Sequence, residues 1–261
     1  MGPLELVGLS LGIAIGFMTI VWILSLILRN ASIVDVFWGL GFIAVACAVF
    51  AVARGSSARS LLMLVLVLAW GLRLALHVGI RNAGRGEDWR YRRWRDEAGS
   101  AFWWRSYFKV FLLQGTILAV VALPLTLGIS GAGPARIEAL EIAGVCVWFV
   151  GFLFETIGDA QLGRFKRDPA NAGKVMDRGL WRTTRHPNYF GESLVWWGLF
   201  LVAAATPLGA WSVFGPALIT FLLIRVSGVR MLEARLKERK PEYADYIRRT
   251  SAFIPWLRRR T

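Results

Sequence analysis

A cluster of polar side chains stands where a basic loop runs into an apolar, tryptophan-rich helix, in the segment GLWRTTRHPNYFGESLVWWG from residue 179 to 198. Ionisable groups at the edge of a bilayer cost free energy, so such a cluster is a functional-site hypothesis by default. Asn188 follows Pro187 where loop becomes helix, and its amide both donates and accepts hydrogen bonds. Glu192 comes one turn later on the same face, so both side chains are expected to meet one ligand group. The polar members are Arg182, Arg185, His186, Asn188, Tyr189 and Glu192.

Polar residues within the apolar runs fall in one half of the predicted membrane spans. They are Asp35, Arg73, His77, Gln114, Glu155, Asp159 and Arg225. Several polar groups at one depth more often line a water-accessible or ligand-filled cavity than form isolated pairs. We therefore expect a cavity in the cytoplasmic half of the bilayer, with scattered structural ion pairs as the alternative.

Asp35 is the candidate acid of this cavity. A reaction that develops negative charge on an oxygen needs a buried hydrogen-bond donor or acid to stabilise that charge. An aspartate in an apolar helix loses solvation, which favours its protonated form and suits a general acid. An aspartate near a helix start also caps the helix, so a structural role stays open. His77 is a second possible proton donor, although a histidine beside Arg73 is also compatible with a structural role.

Two basic segments adjoin the predicted spans. GRGEDWRYRRWRDEAG interleaves arginine with aromatic residues, and RFKRDPANAGKVMDRGLWRTTRHPNY is broken repeatedly by Pro and Gly. The first segment fits an interfacial element whose arginines meet lipid phosphate. It fits equally a cofactor site in which planar guanidinium groups clamp phosphate. No GxGxxG follows a predicted strand, so a dinucleotide would be held by other means than a Rossmann fingerprint.

The elements that position these residues are membrane helices. The chain has 261 residues, is 56% hydrophobic and contains 13 Trp, a composition typical of membrane proteins. A helix needs about 20 apolar residues to cross a bilayer, and only helices or closed barrels satisfy the backbone there. Seven apolar runs predict an all-α polytopic membrane protein of a single domain, 1–261. The runs are 5–28, 33–53, 60–80, 108–128, 137–159, 189–206 and 210–229.

Charge predicts the orientation of the seven spans. Lys and Arg concentrate in the loops at about 81–107 and 160–188 and in the tail 230–261, whereas the opposite side offers Arg54, Arg59 and Arg136. The positive-inside rule then puts the amino terminus out and the carboxyl terminus in. The expected location is a bacterial inner (cytoplasmic) membrane, with the site open to the cytoplasm. Membrane lipids are expected partners and nucleic acid is not, because no extramembrane element is large enough to present a basic face. The two Cys and two His residues give no argument for a metal site.

Four motifs together resemble a known family: GLWRTTRHPNYFGE, the tail EYADYIRRTSAFIPW, SIVDVFWGLGF and GRGEDWRYRRWR. They are similar to a bacterial membrane family of unassigned function (DUF1295-like) in the steroid 5-alpha-reductase superfamily. The resemblance runs from about Ser32 to Trp256. It implies an all-helical membrane fold and an NADPH-dependent oxidoreductase acting on CH-CH groups, with a lipophilic enone, sterol-like or otherwise, as substrate.

The resemblance also implies roles for individual residues. Catalysis would fall to Asp35, Trp38, Trp70 and His77. Cofactor contacts would come from Arg73, Arg85, Asp159, Arg164, Arg167, Arg185, His186, Asn188, Tyr189, Glu192 and Tyr246. Steroid 5-alpha-reductases carry a Gln-Glu pair on an early helix and a Tyr on the next. Here the early helix offers Asp35 and Trp38 and the next offers Trp70, so the resemblance does not extend to a steroid substrate.

Two other functions compete with the reductase. Arg-His-Pro-x-Tyr also occurs in isoprenylcysteine carboxyl methyltransferases, where the corresponding loop meets S-adenosylmethionine. That cofactor carries no phosphate and gives no reason for arginines beyond those the membrane requires, so the basic segments favour NADPH. A non-enzymatic lipid-binding or transport protein would need a path to both faces, and the outer half of the predicted spans has almost no polar lining.

Overall fold

A computed structural model of the protein describes residues 1–53, 57–131, 137–226, 228–229, 232–233, 236, 238 and 240–257. Throughout this described part the regular structure is helical, and the β-pairing in it is an isolated bridge joining Thr184 to Ser251. The prediction of an all-α protein is confirmed. Some cations used for the orientation prediction lie outside the described residues: Arg54, Arg136, Arg258, Arg259 and Arg260.

Length and composition make several of the helices candidate membrane spans. Five described helical segments are long and apolar enough to cross a bilayer, or up to six if a pair bent by 42° counts as one span. The five are Pro3–Ile27, Ala31–Val52, Ala58–Asn82, Ala139–Arg167 and Gly209–Val226, and the bent pair is Trp89–Val121 with Leu123–Ser130. The bend adjoins Pro124, which removes a backbone donor, a usual cause of a kink. These apolar helices are compatible with an integral membrane protein.

The chain divides into two compact units. Unit 1 comprises Met1–Glu138 and Val202–Gly215, and unit 2 comprises Ala139–Leu201 and Pro216–Thr261. Unit 1 contains α1 (Pro3–Ile27), α2 (Val34–Val52), α3 (Ala58–Asn82), α4 (Trp89–Ala98), α5 (Phe102–Ser106), a π-helical stretch (Tyr107–Leu112), α6 (Leu113–Val121) and α7 (Leu123–Ser130). In this unit α2 and α3 touch backbone to backbone, since a Cβ on Gly39 would lie 2.6 Å from the Gly71 carbonyl oxygen.

Unit 2 is built around a long helix and a buried one. Its elements are α8 (Ala139–Arg167), most of α9 (Pro187–Ala204), most of α10 (Phe214–Phe221), a π-helical turn (Leu222–Val226) and α11 (Tyr243–Arg249). No residue of α9 is exposed, although its first turn carries Asn188 and Glu192. The predicted run 189–206 therefore corresponds to a helix that lies in the interior of the protein. Its polar first turn lowers its mean hydropathy, and it is not among the candidate spans given above.

Glycines bring α8 and α9 together in unit 2. A Cβ on Gly191 would lie 2.5 Å from the Gly151 carbonyl oxygen, and one on Gly198 would lie 2.6 Å from the Gly144 carbonyl oxygen. Both contacts repeat at a spacing of seven residues on each helix. Small residues at such a seam let helix backbones approach closely, which is a common mode of packing in membranes. The seam fixes which residues of α8 lie beside the first turn of α9.

Candidate functional site

Asn188 and Asp159 meet where the α8–α9 seam ends. The Asn188 Nδ2 donates to Asp159 Oδ1 at 3.2 Å, and Asp159 is buried. A Cβ on Gly158 would lie 3.3 Å from the Asn188 backbone nitrogen, so the absence of a side chain there admits the start of α9. The Asn188 Oδ1 is buried and accepts no hydrogen bond from the described residues. One acceptor atom of the Asn188 amide is thus unused by the described part of the chain.

The residues just before α9 form a buried ion cluster, the Arg185 cluster, of Arg185, His186 and Glu233. The Arg185 Nε donates to Glu233 Oε1 at 2.7 Å and Nη2 donates to Glu233 Oε2 at 3.2 Å. The His186 Nε2 lies 3.1 Å from Glu233 Oε1, while its Nδ1 is buried with no partner in the described structure. The guanidinium of Arg185, expected from sequence to contact the cofactor, is engaged within the protein.

Burial sets the protonation of the Arg185 cluster. Burial lowers the pKa of His186 below its ordinary 6.5, and the hydrogen bond with Glu233 offsets only part of that effect. Burial acts in the opposite sense on Glu233, but the hydrogen bonds from His186 and Arg185 prevail and lower the pKa of that carboxyl. A neutral imidazole beside an ionised carboxylate is the resulting state at neutral pH. The ring of His186 also stacks on Tyr189 with centroids 5.4 Å apart.

Part of the tail, residues 243–257, holds the basic loop before α9 through hydrogen bonds. The Tyr246 hydroxyl donates to the Trp181 carbonyl, and the Trp181 indole donates to the Gly158 carbonyl at 3.0 Å. The Thr184 hydroxyl donates to the Phe253 carbonyl at 2.8 Å. The Arg185 Nη1 donates to two further tail carbonyls. Tyr246 was predicted to contact cofactor, and here it holds the loop that carries the other predicted contacts.

The remaining predicted contacts of unit 2 lie around this core. Arg164 and Arg167 are exposed on the last turn of α8, and Arg182 is exposed on the loop. Tyr189 and Glu192 are half-buried on the first turns of α9. The arrangement combines exposed guanidinium groups at the surface with the amide of Asn188 and the buried imidazole of His186. It is suited to an anionic ligand with a polar ring or amide, since arginine matches phosphate bidentately.

Asp35 has two strong partners in unit 1. Its Oδ2 accepts from Arg90 Nη2 at 2.8 Å and its Oδ1 accepts from the Tyr91 hydroxyl at 2.8 Å. The Gln114 side chain lies beside the buried Tyr91 hydroxyl. Asp35 is thus the acceptor of an ion pair rather than a lone carboxyl in an apolar helix. Gln114, Asp35 and Tyr91 converge from α6, α2 and α4.

A second carboxylate holds α4 in this position. Glu87 accepts from the Ala31 backbone nitrogen at 2.7 Å and from Arg95 Nε and Nη2 at 2.8 Å each. Burial raises the pKa of Glu87, but these hydrogen bonds outweigh it and the net shift is downward. The Ser32 hydroxyl also accepts from the Asp88 backbone nitrogen at 3.2 Å. The start of α4 is therefore tied to the start of α2, which places Tyr91 against Asp35.

The aromatic and basic residues predicted for catalysis in unit 1 lie along α2 and α3. Phe42 joins Trp38 and Trp70, with ring centroids 5.1 and 5.7 Å away. Trp70 is fully buried, whereas Arg73 and His77 are half-buried one turn apart on α3. Arg85, in the loop after α3, is exposed. The predicted catalytic residues belong to unit 1, and so do the predicted cofactor contacts Arg73 and Arg85, whereas the other predicted cofactor contacts, from Asp159 to Tyr246, belong to unit 2.

Sequence reasoning did not single out Tyr91, Glu233 or Glu87 as site residues. Helical spacing contained a signal for Tyr91, because Tyr91, Trp94 and Ala98 share a face of α4 among charged neighbours. Glu233 gave no such signal, since its partners lie 47 and 48 residues away.

Comparison with known proteins defines the family. Residues 21–250 match the family described as "Protein of unknown function (DUF1295)", so this chain belongs to that family. It is also 25% identical over 278 residues to an uncharacterised protein of the fission yeast Schizosaccharomyces pombe, covering 96% of this chain and 79% of that protein. No solved structure matches the chain.

Proposed function

We propose that this protein is an NADPH-dependent membrane reductase that transfers hydride to a polarised C=C bond of a lipophilic substrate. The observation that carries the proposal is a pair of buried atoms before and at the start of α9, His186 Nδ1 and Asn188 Oδ1, that have no hydrogen-bond partner among the described residues. Buried polar atoms without partners are rare in folded proteins, and each calls for a ligand or a functional reason. A cofactor with an amide and hydroxyl groups supplies such partners.

The residues of unit 2 fit NADPH. The exposed guanidinium groups of Arg164, Arg167 and Arg182 would bind its phosphates, a role for which arginine is well suited. Asn188, oriented by Asp159, would bind a polar group of its ring portion. When bound, NADPH supplies the hydride. Arg185 stays within its ion cluster and acts by positioning the start of α9.

The residues of unit 1 would handle the proton. The Asp35 carboxylate accepts from both Arg90 and the Tyr91 hydroxyl, so the proton shared between Asp35 and Tyr91 lies on the Tyr91 oxygen. We assign Tyr91 as the donor to a substrate oxygen and Asp35 as the group that orients it. Trp38 and Trp70 would provide apolar walls for a lipophilic substrate. His77 is the second candidate for the donor.

We further propose seven spans, with α9 as the interior one, the amino terminus outside and the carboxyl terminus inside a bacterial inner membrane. The support is the concentration of Lys and Arg in the loops at about 81–107 and 160–188 and in the tail. A reporter enzyme fused after Thr261 is expected to be active only if it works in the cytoplasm. Activity of a periplasmic reporter at that position would overturn the orientation.

Thermal stabilisation by cofactor tests the proposed function without a known substrate. A ligand that binds only the folded state raises its stability by mass action, so NADPH is expected to raise the Tm of the detergent-purified protein. Stabilisation by S-adenosylmethionine but not by NADPH would favour the methyltransferase, the alternative that the Arg-His-Pro-x-Tyr segment left open. The same measurement with NADH, which lacks the extra phosphate of NADPH, tests whether the protein recognises that phosphate.

The Asn188 amide provides the site-specific arm of the same assay. Asn188→Ala is expected to weaken NADPH binding by about 1–3 kcal/mol, the range for removing one partner of a buried hydrogen bond. Asn82→Ala, at the end of α3, is the matched control and is expected to bind as wild type does. Equal NADPH affinity in wild type and Asn188→Ala would remove Asn188 from the site.

A further inference from the structure

A small pocket opens on the surface of unit 1 beside α4. It has a volume of about 100 Å³, and its lining includes Trp94 and Glu97 from α4, Arg105 from α5 and Lys109 from the π-helical stretch. None of these four residues has a role in the proposed reductase chemistry. Arg105 and Lys109 lie one turn apart and face the pocket together.

The pocket carries unbalanced positive charge. Neither Arg105 nor Lys109 forms an ion pair with any described residue, and both are exposed. Glu97, the acidic residue in the lining, is already paired with Arg93, whose Nε lies 2.7 Å from Glu97 Oε1. The pocket is therefore chemically suited to an anion with several acceptor oxygens, such as a phosphate group.

Aromatic rings hold both cations in place. The Lys109 ammonium lies 4.5 Å from the centre of the Trp94 ring, and the Arg105 guanidinium lies 5.5 Å from that of Trp104. Such cation–π contacts are worth about 0.5–1 kcal/mol at exposed sites, enough to favour one side-chain position over others. Because Lys109 lies in a π-helical stretch, its position differs from that of a regular α-helix. The two charges are thus preorganised before any ligand arrives.

The surface next to the pocket is apolar and aromatic. Trp103 is 57% exposed, Trp104 43% and Phe108 58%. Exposed tryptophans next to Lys and Arg are typical of the boundary between lipid headgroups and hydrocarbon. The helix that bears these residues continues into a candidate membrane span. A ligand in this pocket would have its anionic part against Arg105 and Lys109 and an apolar part against the exposed rings.

We propose that this pocket binds the phosphate headgroup of an anionic glycerophospholipid. The same chemistry would accept free phosphate, but free phosphate makes no use of the exposed rings beside the pocket. The site is distinct from general attraction of the basic surface to anionic membranes, because two specific cations and one cavity define it. It depends on neither NADPH nor the reductase assignment.

Binding of a defined lipid to the full-length protein tests this inference. The protein is purified in neutral detergent, titrated with phosphatidylglycerol or phosphatidylcholine, and the bound lipid is counted by native mass spectrometry. Wild type is expected to retain one phosphatidylglycerol in preference to phosphatidylcholine. In Arg105→Gln/Lys109→Gln the half-saturating concentration of phosphatidylglycerol is expected to rise roughly 25-fold, because each cation near an anionic headgroup contributes about fivefold.

Two further variants separate the pocket from net charge and from misfolding. Arg81→Gln/Lys174→Gln removes one Arg and one Lys that are exposed elsewhere, and it is expected to bind as wild type does. Arg105→Lys/Lys109→Arg keeps both charges and is expected to stay within a few-fold of wild type. Equal losses in the pocket and control variants, or no loss in either, would overturn the site. Binding of inorganic phosphate with the same dependence on Arg105 and Lys109 would overturn the lipid as its occupant.

Discussion

Arg185 offers the sharpest test of what holds the start of α9 in place. Its guanidinium makes two hydrogen bonds to Glu233 and two to the carbonyls of Ile247 and Thr250, and the side chains of the ion pair are 8% and 12% exposed. Arg185→Met keeps the stem but leaves a buried carboxylate without its main counter-ion. Breaking one side of a buried pair costs about 3–5 kcal/mol, so the variant is expected to lose stability on that scale.

The measurement is the free energy of unfolding in mixed micelles, together with trypsin cleavage at the tail. Arg185→Met is expected to expose α11 to cleavage because two carbonyl contacts of the tail are lost. Arg182→Met, on the same loop but exposed, is the control and is expected to change stability by no more than about 0.5 kcal/mol. Arg185→Met/Glu233→Leu is expected to recover part of the loss, since no unpaired charge remains. Equal stabilities of Arg185→Met and Arg182→Met would refute the role of the cluster.

Three other substitutions test the packing, the titration and the proton donor. Gly191→Ala places a Cβ 2.5 Å from backbone atoms of α8 and is expected to destabilise the protein by about 1–3 kcal/mol. The control Gly163→Ala, whose Cβ would have nothing within 4 Å, is expected to be neutral or stabilising. Equal melting temperatures of the two variants would contradict close packing of α8 against α9. The pKa of His186 is lowered from its ordinary 6.5 by burial, so protons favour the unfolded state and wild-type stability is expected to fall as the pH drops below about 6.5. That slope is expected to flatten in His186→Gln, and an unchanged slope would exclude this histidine as its source. Tyr91→Phe is expected to leave NADPH affinity unchanged and to abolish turnover, and full turnover would reassign the donor.

The helices were predictable because apolar runs of sufficient length have few alternatives in a bilayer. Runs 5–28, 33–53 and 60–80 correspond to α1, α2 and α3. The run 108–128 contains a bend of 42°, which the sequence marked only by Pro124. The run 189–206 corresponds to α9, whose interior position depends on contacts with α8 that no local pattern encodes.

The sequence indicated several residues of the candidate site, but it did not indicate which residues they would contact. Asn188 and Asp159 were both expected near a ligand, and they are in contact. Arg185 was expected to contact the cofactor, and its guanidinium is hydrogen-bonded to Glu233. Asp35 was a candidate general acid, with helix capping as the alternative, and in the structure its carboxylate accepts hydrogen bonds from Arg90 and Tyr91. These ion pairs and hydrogen bonds join segments that are distant in the sequence, whereas helical periodicity predicts contacts only between residues about one turn apart. The cofactor, the reaction and the orientation remain predictions.

The hydrogen bonds between the basic loop and the tail determine when the loop can fold during synthesis of the chain. The Thr184 hydroxyl donates to the carbonyl of Phe253, 69 residues further along the chain. The Trp181 carbonyl accepts from the hydroxyl of Tyr246, 65 residues further along. Every membrane helix of unit 2 has therefore left the ribosome before the loop can acquire its native contacts. A chain released early would reach the membrane with its helices formed but this loop open to proteases. The native contacts of the loop before α9 therefore depend on residues 246 and 253, which are synthesised after the helices α8, α9 and α10.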